Sequence, residues 1–320
     1  MEFYLKKLLL EVKKLKTFFY TPEKIIKAVN GIDLQIYEKE IFALVGQTGA
    51  GKSITALSIM KLVPPPGVIV DGEIFFEGVN LLEKDEEYMR KIRGNKIAMI
   101  FQDPLKALNP VIKIGKQIAE GLVLHKKFNE FYALKEAEKI LISLGIRNVE
   151  EVLQKYPHQI SGGMRQRVQI ASALICKPSI LIADEPTSSV DPPIQFQVLN
   201  TLKKACITYN TSMMLITHNL AAAYFLSNRI AVIHEGEIVE ENVTDRFFKN
   251  PLHPYSKCLV NAAERLGNKN LNLNTLGKLK LKGSGCKFYH ICPYKKNICK
   301  TEKPPLKTLD RFHKVKCFHY

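Results

Sequence analysis

The chain lacks any apolar run long enough to cross a bilayer. A spanning helix needs about 20 consecutive apolar residues, and the best runs, "KIAMIF" and "SILIADE", are strand-sized. It also lacks a signal peptide pattern, because "MEFYLKKLLLEVKKLK" interleaves charge with apolar residues too closely. The expectation is a cytosolic protein. No internal repeat is visible, which sets aside a solenoid. Acidic residues are scarce: 31 Asp and Glu face 47 Lys and Arg, a net charge of +16. That surplus suits nucleic acid, an anionic membrane surface or a polyphosphate ligand, and equally a solvated lysine-rich surface, so charge alone names no partner.

What remains is globular. Apolar residues make up 46% of 320 residues, enough for one large domain or two modest ones with real cores. Of seven cysteines, Cys176, Cys206 and Cys258 are scattered and read as small core residues. Cys286, Cys292, Cys299 and Cys317 crowd the end of the chain, where a reducing cytosol favours metal binding over disulfides.

Three regions follow one another. From about Leu9 to Pro104, β-like runs ("LLEVKKL", "GIDLQIY", "IFALVG", "GEIFFEG", "KIAMIF") surround one helix, "KSITALSIMKLV", expected to run until the triple proline Pro64 to Pro66. From Leu105 to Tyr156, "IGKQIAEGLVLH" and "ALKEAEKILISLG" carry helical periodicity. From Ser161 to about Ala263, helices alternate with near-continuous apolar runs, "SILIADE" and "SMMLITH", as in parallel strands covered on both faces. "NRIAVIHEGEIVEEN" reads as a hairpin turning at Glu235-Gly236. A polar stretch, "NKNLNLNTLGKLKLKGSG", reads as a linker to the cysteine-rich tail.

"GQTGAGKS" fits the phosphate-loop pattern G-x-x-x-x-G-K-[ST], with an apolar strand before it and a helix after. Backbone N–H groups across Gly46, Gln47, Thr48, Gly49, Ala50 and Gly51 can surround phosphates, Lys52 can neutralise them, and Ser53 can ligate Mg²⁺. In "SILIADEPTSSVD" a buried strand ends at Asp184, suited to the Mg²⁺ shell, and Glu185, suited to orienting or deprotonating water. "IFQDP" places Gln102, and "LITH" places His218, each just beyond a strand. Gln102 can sense Mg²⁺ or water, and His218 can touch a γ-phosphate. "ISGGMRQR" is a second anion cradle, a serine and two glycines at a helix start.

That order of motifs resembles the ATP-binding-cassette (ABC) ATPases. "ISGGMRQR" is similar to their signature motif, with Ile160 where leucine is commoner, and "SSVD" ends in Asp191 where their D-loop stands. The resemblance implies a P-loop NTPase α/β core, an N-terminal antiparallel β subdomain and a helical signature subdomain at about 105–165. It implies that two such domains close head to tail, so that Ser161, Gly162, Gly163 and Gln166 serve ATP held by a partner subunit. Adenine is expected on an aromatic residue of "KTFFYTPEK"; family alignment favours Phe19, with Phe18 and Tyr20 as alternatives. Two positions depart from the pattern: Lys39 replaces a turn glycine, and Pro192-Pro193 follow the D-loop.

"MIFQDPLKALNP", "YPHQISGGMRQRVQIASAL", "NPLHPYSKCLV" and the tail further resemble ATPase subunits of dipeptide and oligopeptide importers. This implies a nucleotide-binding domain over 1–263 and a linker with a cysteine-rich extension over 264–320. It also implies two membrane permease subunits, a second ATPase subunit (a heterodimer rather than a homodimer), and indirect service to an extracytoplasmic solute-binding protein. The location is then the cytoplasmic face of the membrane, with no direct nucleic acid partner. Nickel or oligosaccharide cargo, a soluble ABC ATPase acting on nucleic acid or ribosomes, and a redox-sensing module remain competing readings. The tail cysteines follow C-x5-C-x6-C-x17-C, wider than the usual zinc pairs. A [4Fe–4S] cluster is expected ahead of zinc, with free thiols as the alternative, and His290, His313 and His319 lie nearby.

Overall fold

The computed structural model describes residues 6–188, 192–265 and 285–320. The proposed linker and Asp191 lie outside the described residues. Two long antiparallel strands, β1 (Leu8–Tyr20) and β2 (Ile25–Tyr37), pair with β4 (Gly67–Phe76) and the short β5 (Val79–Asn80), in the order β2-β1-β4-β5. Strand β1 runs past Leu15, where the apolar alternation stops, because register shifts near Lys14 re-aim the chain without ending the pairing.

The second sheet has eight strands. Its parallel part comprises β3 (Ile41–Val45), β6 (Ile97–Ile100), β7 (Ile180–Asp184), β8 (Ser212–Thr217) and β9 (Arg229–His234). Strand β10 (Glu237–Val243) returns antiparallel through the Glu235-Gly236 turn, as the sequence suggests. Two strands of the tail, β11 (Leu306–Thr308) and β12 (Lys314–Lys316), then extend that same sheet, giving β11-β12-β10-β9-β3-β8-β7-β6. The tail is therefore an edge of the eight-stranded sheet.

Helix α1 (Lys52–Ile59) follows β3 and is shorter than its sequence suggests. It ends in a Schellman turn in which Leu62 N–H reaches the Leu57 carbonyl and Lys61 N–H the Ser58 carbonyl. Lys61 takes the left-handed position (φ 50) that glycine usually fills, so the helix stops before the prolines are reached. Lys39 likewise adopts φ 55, so the turn geometry survives its missing glycine.

Helix α2 (Glu86–Ile92) leads into β6. The helical subdomain comprises α3 (Pro104–Ala107), α4 (Ile114–Lys126), α5 (Glu130–Ser143), α6 (Val149–Gln154) and α7 (Gly162–Leu174). Its apolar faces share a core with α8 (Pro192–Thr208) and one face of the parallel sheet. The other face packs on α1 and the antiparallel sheet. A third core gathers α9 (Leu220–Leu226), α10 (Thr244–Lys249), α11 (Pro254–Arg265) and Phe288 of the tail, which also carries α12 (Ile298–Thr301).

Candidate nucleotide site

Parallel strands put their carboxyl ends on one edge, where ligands of open α/β sheets bind. Strand β3 ends there in the phosphate loop, β7 in Asp184 and Glu185, β8 in His218, and β6 close to Gln102. Each strand is buried along nearly its whole length, which explains apolar runs without alternation.

Glycine is required in the loop by close approach as well as by φ. A Cβ on Gly46 would lie 2.3 Å from the Ile233 carbonyl oxygen, and one on Gly51 (φ +107) 2.2 Å from that of Ala28. The loop is thus wedged between β2 and β9, and Gly236 N–H caps the Ala50 carbonyl at 2.9 Å. Lys52 Nζ lies 2.8 Å from the Gly46 carbonyl and 3.0 Å from that of Gln47, with Glu185 Oε1 at 3.9 Å. Burial pulls the Lys52 pKa below the ordinary lysine value, against the opposing charges of Glu185 and Asp184.

Asp184 is 5% exposed. Burial raises its pKa, while the Ser53 hydroxyl hydrogen-bonds its carboxylate and pulls the other way. Its Oδ1 is buried without a hydrogen-bond partner. A serine hydroxyl beside an orphaned carboxylate oxygen is the donor set of a hard cation, so these residues fit Mg²⁺.

Glu185 and His218 meet at the ends of neighbouring strands, with His218 Nδ1 2.7 Å from Glu185 Oε2. Burial works to raise the Glu185 pKa, but the hydrogen bond and charge of His218, with Lys52, leave it below the ordinary value. The same bond raises the His218 pKa. Asn219 caps α9 by accepting the Ala221 and Ala222 N–H groups, which fixes the turn that carries His218.

Gln102 is exposed; its carbonyl accepts the Ser188 hydroxyl at 3.3 Å. Gln169 on α7 donates to the Phe101 carbonyl at 3.0 Å, tying the signature helix to the strand end before Gln102. Ser161 caps α7, its hydroxyl accepting Met164 N–H at 3.3 Å, and Gly162 and Gly163 form the first turn. Gln166, on the second turn of the same helix, is wholly buried. Helix α7 packs on α3, α4, α5, α8 and β6, whereas α1 packs on β1, β2, β7 and β8, so the two anion cradles belong to separate layers.

Of the aromatic candidates, Phe18 lies under Lys27 Nζ at 5.5 Å, Tyr20 is 48% exposed, and Phe19 is packed so closely on Gly67 that a Cβ there would fall 2.7 Å from its ring. Sequence reasoning overlooked Tyr255, whose hydroxyl accepts the Gln47 N–H at 3.3 Å. Its only signal was its place in the quoted "NPLHPYSKCLV".

In the tail, Cys286, Cys292, Cys299 and Cys317 are outside any disulfide and line one cavity with His253 and His319. Among the described residues, no three His, Cys, Asp or Glu side chains stand close enough together to hold one metal ion.

The family description "ABC transporter" matches residues 29–188, half of the chain. The chain belongs to the ABC transporter family. A second description, "Oligopeptide/dipeptide transporter, C-terminal region", matches residues 239–299 of this ABC ATPase. The oligopeptide transport ATP-binding protein AppD of Bacillus subtilis is 43% identical over 322 residues, 98% of this chain and 97% of that protein. The dipeptide transport ATP-binding protein DppD of the same organism is 40% identical over 314 residues, 97% of this chain and 94% of that protein. Among solved structures, the dimeric post-hydrolysis state of the ATP-binding cassette MJ0796 bound to ADP and Pi matches with a TM-score of 0.67 and 26% identity. That match covers 74% of this chain and 99% of the cassette. This ABC protein is an ATPase of the P-loop NTPase fold, and no helix among its described residues is long and apolar enough to cross a membrane.

Proposed function

We propose that this ABC ATPase drives import of dipeptides or oligopeptides from the cytoplasmic face of the membrane. The observation that carries the reading is that its similarity to peptide-transport ATP-binding proteins runs end to end, tail included. Its partners are two membrane permease subunits and a second ATPase subunit, in a heterodimer, with a solute-binding protein served indirectly. Residues 1–263 form the nucleotide domain and 264–320 the extension.

Mg²⁺ bound at Ser53, Asp184 and Gln102 would supply charge neutralisation at the phosphates. Lys52 leaves the loop carbonyls to pair with the phosphates, and Phe19 stacks on adenine. Glu185, kept ionised by His218, orients and deprotonates the attacking water; His218 is shared between Glu185 and the γ-phosphate. Ser161 and Gly163 at the α7 N-terminus meet the ATP of the other subunit, where N–H groups and the helix dipole favour an anion. Asp191 is taken as the D-loop aspartate by its place in "SSVD". Replacing Glu185 with Gln should preserve ATP binding, reduce turnover by at least about a hundredfold and accumulate the closed dimer. Turnover at the wild-type rate would remove Glu185 from the role of base.

The tail supports a second reading, a [4Fe–4S] cluster held by Cys286, Cys292, Cys299 and Cys317. Supporting it, Cys286, Cys292 and Cys317 each accept a backbone N–H from the residue two positions on, and Cys299 accepts that of Lys296 at 3.5 Å. Burial raises the pKa of Cys286, Cys292 and Cys317, and these bonds oppose it in favour of the thiolate, while a cluster spaces its ligands more widely than a single ion does. One anaerobic preparation from native membranes tests both readings. Co-purifying permease and solute-binding chains support import, and recovered ribosomes or DNA overturn it. A broad visible absorption band with about four iron atoms per chain supports the cluster, and its absence with no iron overturns it.

A further inference from the structure

The His253-Pro254-Tyr255 segment lies far from the phosphate loop in sequence and touches it in space. The Gln47 N–H donates to the Tyr255 hydroxyl at 3.3 Å. The Gln47 carbonyl, on the other side of the same residue, accepts Lys52 Nζ at 3.0 Å and Ala50 N–H at 3.1 Å. One residue of the loop therefore carries both the lysine that must reach phosphate and the bond to Tyr255.

Tyr255 is itself held rigidly. It is 1% exposed, its N–H donates to His253 Nδ1 at 3.0 Å, and its ring lies 4.3 Å from His234 and 5.5 Å from Phe288. His253 is anchored in turn: its N–H and that of Leu252 donate to the buried carboxylate of Glu240 at 2.8 and 2.9 Å. His234 precedes the turn whose Gly236 caps Ala50, and its imidazole hydrogen-bonds the Lys287 backbone. Phe288 follows Lys287, and its N–H binds Cys286 Sγ. Burial depresses both imidazoles, His234 to about 4 and His253 to about 3, so both are neutral at physiological pH and pack as aromatic rings.

We infer that Tyr255 is a positioning residue for nucleotide binding: its hydroxyl fixes the phosphate loop at Gln47, and the cysteine-rich tail sets its ring through Phe288. Tyr255 does not touch the reacting atoms. It acts by holding Gln47, so that the N–H groups of the loop and Lys52 stand ready for phosphate without ordering at each binding event. The tail thereby influences nucleotide affinity from a place where it meets no nucleotide. The inference rests on ATP binding at this loop and is independent of whether the cysteines hold a cluster.

Tyr255→Phe removes the hydroxyl and keeps the ring. A neutral hydrogen bond of this kind corresponds to roughly a threefold to tenfold change in binding. The expected result in the full chain is a Kd and KM for MgATP raised by about that factor, with kcat and Tm unchanged. Hydrogen exchange at amides 46–53 should quicken. Phe288→Leu, which loosens the ring from the tail side, should shift Kd in the same direction. Wild-type Kd and exchange in Tyr255→Phe would overturn the assignment, as would a fall in kcat at unchanged KM. Failure of the wild-type chain itself to bind ATP would instead strike at the nucleotide site, so the two failures are distinguishable.

Discussion

Glu185 adopts φ 48, a left-handed conformation that costs about 1 kcal/mol or more for a residue with a Cβ. It is held there by its N–H on the Ile216 carbonyl at 2.9 Å and its carbonyl on Ser188 N–H at 3.1 Å, while its carboxylate faces His218 and Lys52. The pairing with His218 has a defined pH window. The His218 pKa is raised above 6.5, so its stabilising contribution is full below that value and is lost as pH rises through the raised one. The Glu185 pKa lies below 4.5, so its contribution is full above that value and lost as pH falls through the lowered one. The Tm difference between wild type and His218→Ala should therefore be largest between pH 4.5 and 6.5 and shrink on the alkaline side. A difference constant from about pH 5 to about pH 9 would argue against the ion pair.

At the scale of elements, the phosphate loop is a strand-to-helix turn squeezed between two backbones. Gly51→Ala would force a Cβ to within 2.2 Å of the Ala28 carbonyl at φ +107. It should reduce ATP affinity by more than about tenfold through displacement of β2 or the loop, with helix content preserved. Isothermal titration and circular dichroism check this, and wild-type affinity would mean that the loop relaxes freely. The loop was legible in the sequence because its backbone admits so few residue types at fixed spacing, and the Glu235-Gly236 hairpin for the same reason. The end of α1 was not, because Lys61 occupies the position where a glycine would have announced the stop. The strands β11 and β12 were hidden too: three residues each, rich in lysine, they carry too few positions to show alternation. Site residues at strand ends could be read from motif order, but Tyr255 meets Gln47 across 208 positions, a contact no local pattern encodes.

For the whole molecule, β10 is an acidic strand set inside a basic protein. Glu237, Glu240 and Glu241 are all buried. Glu241 and Glu40 share the guanidinium of Arg229, while Lys314 lies 3.7 Å from Glu241. Glu237 is bound by Lys303 at 2.7 Å, by Lys316 and by Asn30, and His313 stands 3.5 Å from Glu240. Burial raises the Glu237 pKa, but the two lysines outweigh it and leave it lowered. Part of the positive surplus is thus internal, bound to this strand. A chain ending before residue 285 should lose several degrees in Tm and aggregate, since it uncovers a sheet edge and leaves buried carboxylates without partners. Scanning calorimetry and size-exclusion chromatography test this; a truncated chain as stable and monodisperse as the full one would deny the tail its place in the sheet. The extension also carries the dimension of time. The ribosome makes the phosphate loop early and the strands that close the sheet roughly 260 residues later, which at about 5–20 residues per second is a delay of tens of seconds. Once His218 is made, the nascent cassette has its catalytic side chains without that edge in place, so a prematurely released chain is marked as unfinished by its own open edge.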